Sequence, residues 1–259
     1  MAEQPARAWR LVLERIESDL LDGRLGPGDR LASERDLATE LGVGRSSVRE
    51  AFRVLEVMGL IRTATGSGPQ SGAIVIATPT GGMSALLRLQ VAAQGFPLHD
   101  VVETRLVLED AVVAALAAAD GRDTTRAHQL LAAMEEPELT PGEFLALDAQ
   151  LHLSLAESSG NAVIAAMMAG LRSSIESYVQ AGAASVPDWA AMASRLRAEH
   201  HALVLAIDAG EAESARALVH THITGYYESA LGSRLPASEP RATRTSPESD
   251  SGSDTANHD

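Results

Sequence analysis

The sequence predicts a mainly α-helical chain in two parts: an N-terminal helical head closed by one small β-hairpin, and a C-terminal all-α antiparallel bundle. Three observations carry this. Helical periodicity fills almost every segment after residue 82, one pair of β-prone runs flanks a Gly/Ser/Pro tip between Leu60 and Ala77, and breakers cluster at Thr78 to Gly82 between two periodic regions. With 259 residues, the chain is also longer than one ordinary domain.

Taken in order, residues 8–22 set Leu11, Val12, Ile16 and Leu20 in a helical pattern that reads as scaffold. Ser33 is a suitable N-cap, and Asp36 three positions on gives an acidic variant of the capping box, so a helix is expected to run from there to Leu41. Gly42 and Gly44 bracket Val43 and supply the sharp turn. A second helix follows, with Val48, Ala51, Phe52, Leu55 and Met58 on a buried stripe and Arg45, Ser46, Arg49 and Arg53 outward. Two helices across a tight turn, followed by a hairpin, read as a winged helix-turn-helix. Its outward arginines can fork onto guanine or grip phosphate, and the helix N-terminus adds N–H donors.

Beyond the breakers, helices are expected at 83–94, 98–119, 123–135, 142–158, 161–182, 188–209 and 211–231, rich in Ala and Leu. The expected domains are therefore 1–77 for the winged helix, 78–82 for a linker, and 83–232 for the bundle. Residues 233–259 lack the apolar side chains a core needs and read as a disordered tail.

Composition narrows the chemistry. There is no cysteine, so any transition-metal site must use histidine and carboxylate. No apolar run approaches membrane-spanning length and the N-terminus has no secretory pattern, so a soluble cytoplasmic protein without membrane contact is expected. The net charge of −14 seems to argue against nucleic acid. Residues 1–80, however, hold ten arginines against eleven acids, so the acidity lies in the bundle and the arginine face stays available.

Four polar residues stand at apolar phases. Asp148 and His152 share the face of Phe144, Leu151 and Leu155; His200 is in phase with Leu196, Leu203 and Ile207; His222 is in phase with Ala215, Val219 and Tyr226. His201 and His220 point elsewhere. A mixed nitrogen and oxygen set on three helices suits zinc or another divalent ion, with room left for a ligand, although a buried Asp–His hydrogen bond would give the same pattern. Arg105 is a charge in line with Val101, Val102, Leu108 and Val112. It fits either an internal salt bridge with Glu109 or a fork onto a carboxylate ligand.

The stretch from Leu25 to Ile76 resembles the winged-helix domain of GntR-type bacterial regulators, with Ala32 where proline is common and Gly44 where serine or threonine is common. The resemblance implies DNA contacts by Arg35, Arg45, Ser46, Ser47 and Arg49, and a wing tip at Gly66. VVETRLVLEDAVVAALAA, FLALDAQLHLSLAESSGNAVI and AEHHALVLAIDAGEAESARALVHTHI resemble the FCD effector domain of the FadR-like branch. In its metal-binding members an Asp and three His hold a divalent ion, which corresponds here to Asp148, His152, His200 and His222, with zinc foremost and nickel or manganese as alternatives. The reading is a homodimeric repressor of a palindromic operator in double-stranded DNA. A small organic acid, met by the metal and Arg105, would alter binding; catalysis is not expected. The rivals are a regulator whose metal is purely structural and a metal-dependent hydrolase.

Overall fold

A computed structural model describes residues 4–64, 72–77, 79–93, 95–183 and 186–231. The head comprises α1 (Gln4–Leu21), α2 (Glu34–Leu41), α3 (Arg45–Val57), β1 (Ile61–Ala64) and β2 (Gly72–Val75). The bundle comprises α4 (Pro79–Ala92), α5 (Leu98–Ala118), α6 (Thr125–Met134), α7 (Pro141–Ser158), α8 (Ala162–Ala183), α9 (Trp189–Asp208) and α10 (Ala212–Leu231). Among the described residues no strand lies beyond β2. The mainly α architecture with one small wing is thus the observed one. Gly66, the expected wing tip, and the tail from residue 233 lie outside the described residues.

Local chemistry sets the head. The Ser33 hydroxyl accepts from the Asp36 N–H at 3.2 Å, which caps α2. The capping box expected there closes differently: the Ser33 hydroxyl also donates to the Asp36 carboxylate at 2.7 Å, so hydroxyl and carboxylate meet side chain to side chain. Gly42 ends α2 in the left-handed region at φ 65°, and its N–H bonds the Ala38 carbonyl. β1 and β2 are antiparallel, pairing Ile61 with Val75 and Ala64 with Gly72, and Arg30 bridges to Ile74 on the far side. The head core gathers Val12 and Ile16 of α1, Leu37 of α2, Val48, Phe52 and Leu55 of α3, and Ile61 and Val75 of the hairpin. Burying such side chains is worth about 1.5–3 kcal/mol each.

Met58, expected on that stripe, is 50% exposed and forms the C-cap of α3. It lies past the last full turn, where the stripe has left the core. The linker needs a second correction. Its TPTGG stretch supplies the first turn of α4, which starts at Pro79, so at most residues 76–78 connect the two parts. Proline is compatible with a first helical turn because its missing N–H has no partner there anyway. Gly82 has a different use: a Cβ on it would lie 2.7 Å from the Met58 Cα and carbonyl oxygen. The glycine read as a breaker is the point where α4 rests on the end of α3.

In the bundle, α5 touches α7, α8, α9 and α10, while α4 lies along α8. The core runs through Val112, Leu116, Phe144, Leu151, Leu155, Leu196, Ile207 and Tyr227. Gly170 of α8 lets α4 approach, since a Cβ there would sit 2.6 Å from Leu87 and 3.4 Å from the Ser84 Cα. α7 is fixed by a full capping box between Thr140 and Glu143 behind Pro141.

Candidate nucleic-acid interface and metal centre

On the head, Arg35 in the first turn of α2 and Arg45, Ser46 and Arg49 of α3 are exposed, and Ser47 is partly buried. Gly44 caps α3 with no side-chain hydrogen bond, which leaves the Arg45 and Ser46 N–H groups without a side-chain cap. Arg45, Arg49 and Arg53 line a groove that runs between α2, α3 and the hairpin. Glu34 sits in the same groove and takes a bidentate contact from Arg49, at 3.3 and 3.0 Å. That hydrogen bond, helped by the charges of Arg49, Arg45 and Arg53, holds the Glu34 carboxyl below its usual range. One acid thus orients an arginine fork on the reading surface, a pairing the sequence pattern did not indicate.

In the bundle, the four residues selected by phase meet in one place. The Asp148 Oδ1 lies 3.0 Å from His200 Nε2, 3.7 Å from His222 Nε2 and 4.0 Å from His152 Nε2. His222 Nε2 lies 3.1 Å from His152 Nε2 and 3.2 Å from His200 Nε2. All three histidines are buried, and Asp148 nearly so. Their rings are delivered by α7, α9 and α10, while His201 turns away and bonds Glu135 at 3.0 Å.

The outer nitrogens decide the tautomers. His152 Nδ1 is tightly hydrogen-bonded to the Glu109 carboxylate, and His222 Nδ1 lies 2.9 Å from Glu199 Oε2. Each carboxylate accepts a hydrogen bond from Nδ1–H, which leaves both Nε2 atoms with lone pairs aimed at each other. Burial first, and then the neighbouring histidines, lower the His222 pKa to about 4 against the opposing pull of Glu199 and Asp148, so the ring is neutral at neutral pH. Two converging lone pairs repel unless a cation lies between them. Burial acts to raise the Asp148 pKa, but the hydrogen bond from His200 and the three nearby histidines outweigh it and keep the carboxylate ionised. A tetrahedral ion with bonds of about 2.0–2.1 Å separates its ligand atoms by about 3.3 Å. The observed spacings bracket that value, so this donor set fits a divalent transition metal.

Arg105 lies against the same cluster. Its Nε pairs with Glu109 Oε1, and Glu109 passes the interaction to His152. Burial opposes both charges, but each holds the other: Arg105 is pushed up and Glu109 down to about 2. The salt bridge expected from the sequence is therefore present. Arg105 also lines a cavity with Asp148, His152, Met168 and Arg172. Glu109 and Glu199, the carboxylates that orient two of the candidate ligand rings, carried no such role in the sequence pattern. Glu109 carried a signal, an acid one turn from Arg105 on an apolar helix; Glu199 carried none.

A winged helix with an arginine-lined groove, joined to an all-helical domain, defines a DNA-binding transcription regulator. The comparisons with known proteins agree and are more specific. Residues 10–69 match the bacterial regulatory proteins of the gntR family, and residues 100–225 match the FCD domain. The chain belongs to the GntR-type regulators with an FCD domain, the FadR-like branch. It is 33% identical over 171 residues to the Glc operon transcriptional activator of Escherichia coli K12, which covers 63% of this chain and 65% of that protein. It is 27% identical over 224 residues to the putative L-lactate dehydrogenase operon regulatory protein of Escherichia coli K12, covering 85% of each. It is 29% identical over 218 residues to the HTH-type transcriptional regulator LutR of Bacillus subtilis, covering 80% of this chain and 97% of that one. Among solved structures, a Streptococcus agalactiae GntR protein superposes with a TM-score of 0.57 at 23% identity, over 86% of this chain and all of that one, which supports the fold. These relatives are named as transcription regulators, and none as an enzyme. No described helix is long and apolar enough to cross a membrane.

Proposed function

We propose that the chain is a metal-dependent, acid-responsive repressor that binds a palindromic operator as a homodimer in the cytoplasm. The observation that carries the reading is the convergence of Asp148, His152, His200 and His222 on one point beside a cavity lined by Arg105. Those four side chains would hold a divalent ion, zinc before nickel or manganese given three imidazoles and one carboxylate. When bound, the ion supplies a Lewis-acidic position that a carboxylate oxygen of the effector can occupy. Glu109 and Glu199 hold the His152 and His222 rings in the ligating tautomer, and Arg105 keeps Glu109 ionised while turning its remaining N–H groups to the cavity. One relative's name refers to L-lactate dehydrogenase, whose substrate is a small carboxylate.

On the DNA side, Arg35, Arg45 and Arg49, with the hydroxyls of Ser46 and Ser47, would face bases and phosphates, and Gly66 would bring the wing toward the minor groove. A two-fold pair of heads matches a palindrome. Repression is the economical sign, because blocking a promoter requires only occupancy, whereas activation requires a further polymerase-contacting surface. The effector must bind the released state more tightly than the DNA-bound one.

The test joins metal analysis of the purified protein with operator titrations, using duplexes selected from random DNA, before and after small carboxylic acids are added. One divalent ion per chain, dimeric binding to a palindrome and release by an acid are expected. Full-affinity binding by monomers would remove the dimer from the reading. Metal without any acid response would leave the ion a purely structural role, and absence of metal would overturn the centre.

A further inference from the structure

We propose that Arg172 of α8 is the principal anchor for the effector's carboxylate. This rests on the effector reading above and deepens it. Arg172 and Arg105 both line the cavity beside Asp148 and His152, but their charges differ in availability. Arg105 is paired with Glu109 inside the core, so that pair is close to neutral. Arg172 has no ion pair among the described residues. Its hydrogen bond from Nη2 to the Ala146 carbonyl is long at 3.4 Å. Glu176, one turn on, is exposed and accepts instead from Gln180 at 3.5 Å.

Arg172 is half-buried, and a partly desolvated guanidinium with no close ion pair is stabilised by a partner that completes it. Burial and the nearby Arg105 charge lower the Arg172 pKa, with Glu176 and Asp148 opposing, which is the signature of such an incompletely balanced cation. Four unused N–H donors in a flat fork match a carboxylate's two oxygens. Asp148 and His152 line the same cavity, so an acid held by Arg172 lies beside the candidate metal ligands.

Leu145, Leu153, Met168 and Ile175 add an apolar wall that suits the carbon body of an organic acid, while Glu176 and Gln180 also line it.

The experiment uses full-length, metal-loaded protein with acetate, glycolate and L-lactate as probes and their neutral amides as controls, read by calorimetry and melting temperature. Wild type is expected to bind at least one acid and none of the amides. R172Q is expected to lose about tenfold or more in that affinity while keeping one metal per chain and its unliganded melting temperature. R172K, which keeps charge and stem without the fork, is expected to fall between. R172Q binding the acid within twofold of wild type overturns the assignment. So does a parallel loss of metal, because Arg172 would then act as a support for the centre. Wild type that binds no carboxylate overturns the effector reading itself, and this proposal with it.

Discussion

At the scale of single residues, the bundle's chemistry depends on a chain of charges and not on four ligands alone. Arg105 holds Glu109, Glu109 holds His152, and Glu199 holds His222. His200 lacks this support: its Nδ1 is buried with no hydrogen-bond partner. Partners of this outer kind typically tune metal affinity by 10–100-fold, so Glu109→Gln is expected to weaken metal binding by about that factor. Competition against a chelator of known affinity measures it. Because the substitution also strands the Arg105 charge, the double variant Arg105→Met, Glu109→Gln separates lost stability from lost affinity. If the double variant regains its melting temperature and binds metal as tightly as wild type, Glu109 serves the Arg105 charge and not the His152 ring.

At the scale of elements, period-3.6 patterning exposed which side chains share a face, and that was enough to choose His200 over His201 and His222 over His220. Face-sharing is intrahelical, so a sequence shows it directly. What periodicity does not encode is which faces meet. Glu199 sits beside His200 in sequence, yet it reaches His222 on another helix. Arg172 is a charge inside an apolar helix just as Arg105 is, but it lies on the cavity side of α8, and only the assembled bundle reveals the cavity. The linker was misread because Pro and Gly were taken as breakers, when a first turn tolerates the former and a close contact uses the latter. α7 carries two ligands and begins with a reciprocal cap: the Thr140 N–H donates to Glu143 at 2.9 Å and the Thr140 hydroxyl accepts from the Glu143 N–H at 3.3 Å. Thr140→Ala is expected to lower stability by about 1 kcal/mol, seen as a lower midpoint in urea with an unchanged slope. A cap that stabilises only the helix start leaves the metal stoichiometry intact. An unchanged midpoint would mean that packing, not capping, fixes where α7 begins.

At the scale of the whole molecule, the two functions must communicate, and the described contacts offer a route through α4. One end of α4 rests on the α3 terminus through Gly82 and Met58. Further along, Ser84 and Leu87 seat against Gly170 of α8, the helix that also presents Met168 and Arg172 to the cavity. A ligand that shifts α8 would therefore move a helix that touches the end of the DNA-reading helix. At Gly82 the obstacle to a Cβ is backbone, at 2.7 Å, so it cannot be relieved by rotating a side chain. Gly82→Ala is expected to push α4 away from Met58, at a cost of about 1–3 kcal/mol where the contact is rigid. Its sharper consequence is in coupling. Metal content and acid affinity should stay at wild-type values, since those groups lie far along α7, α8, α9 and α10. The ratio of operator affinities with and without acid should shrink toward one. Titrating operator DNA in the presence and absence of a saturating acid measures that ratio in both proteins. Should Gly82→Ala keep the full ratio, the signal travels by another route, such as a change in how two copies are spaced, and the contact at Met58 is only a seat.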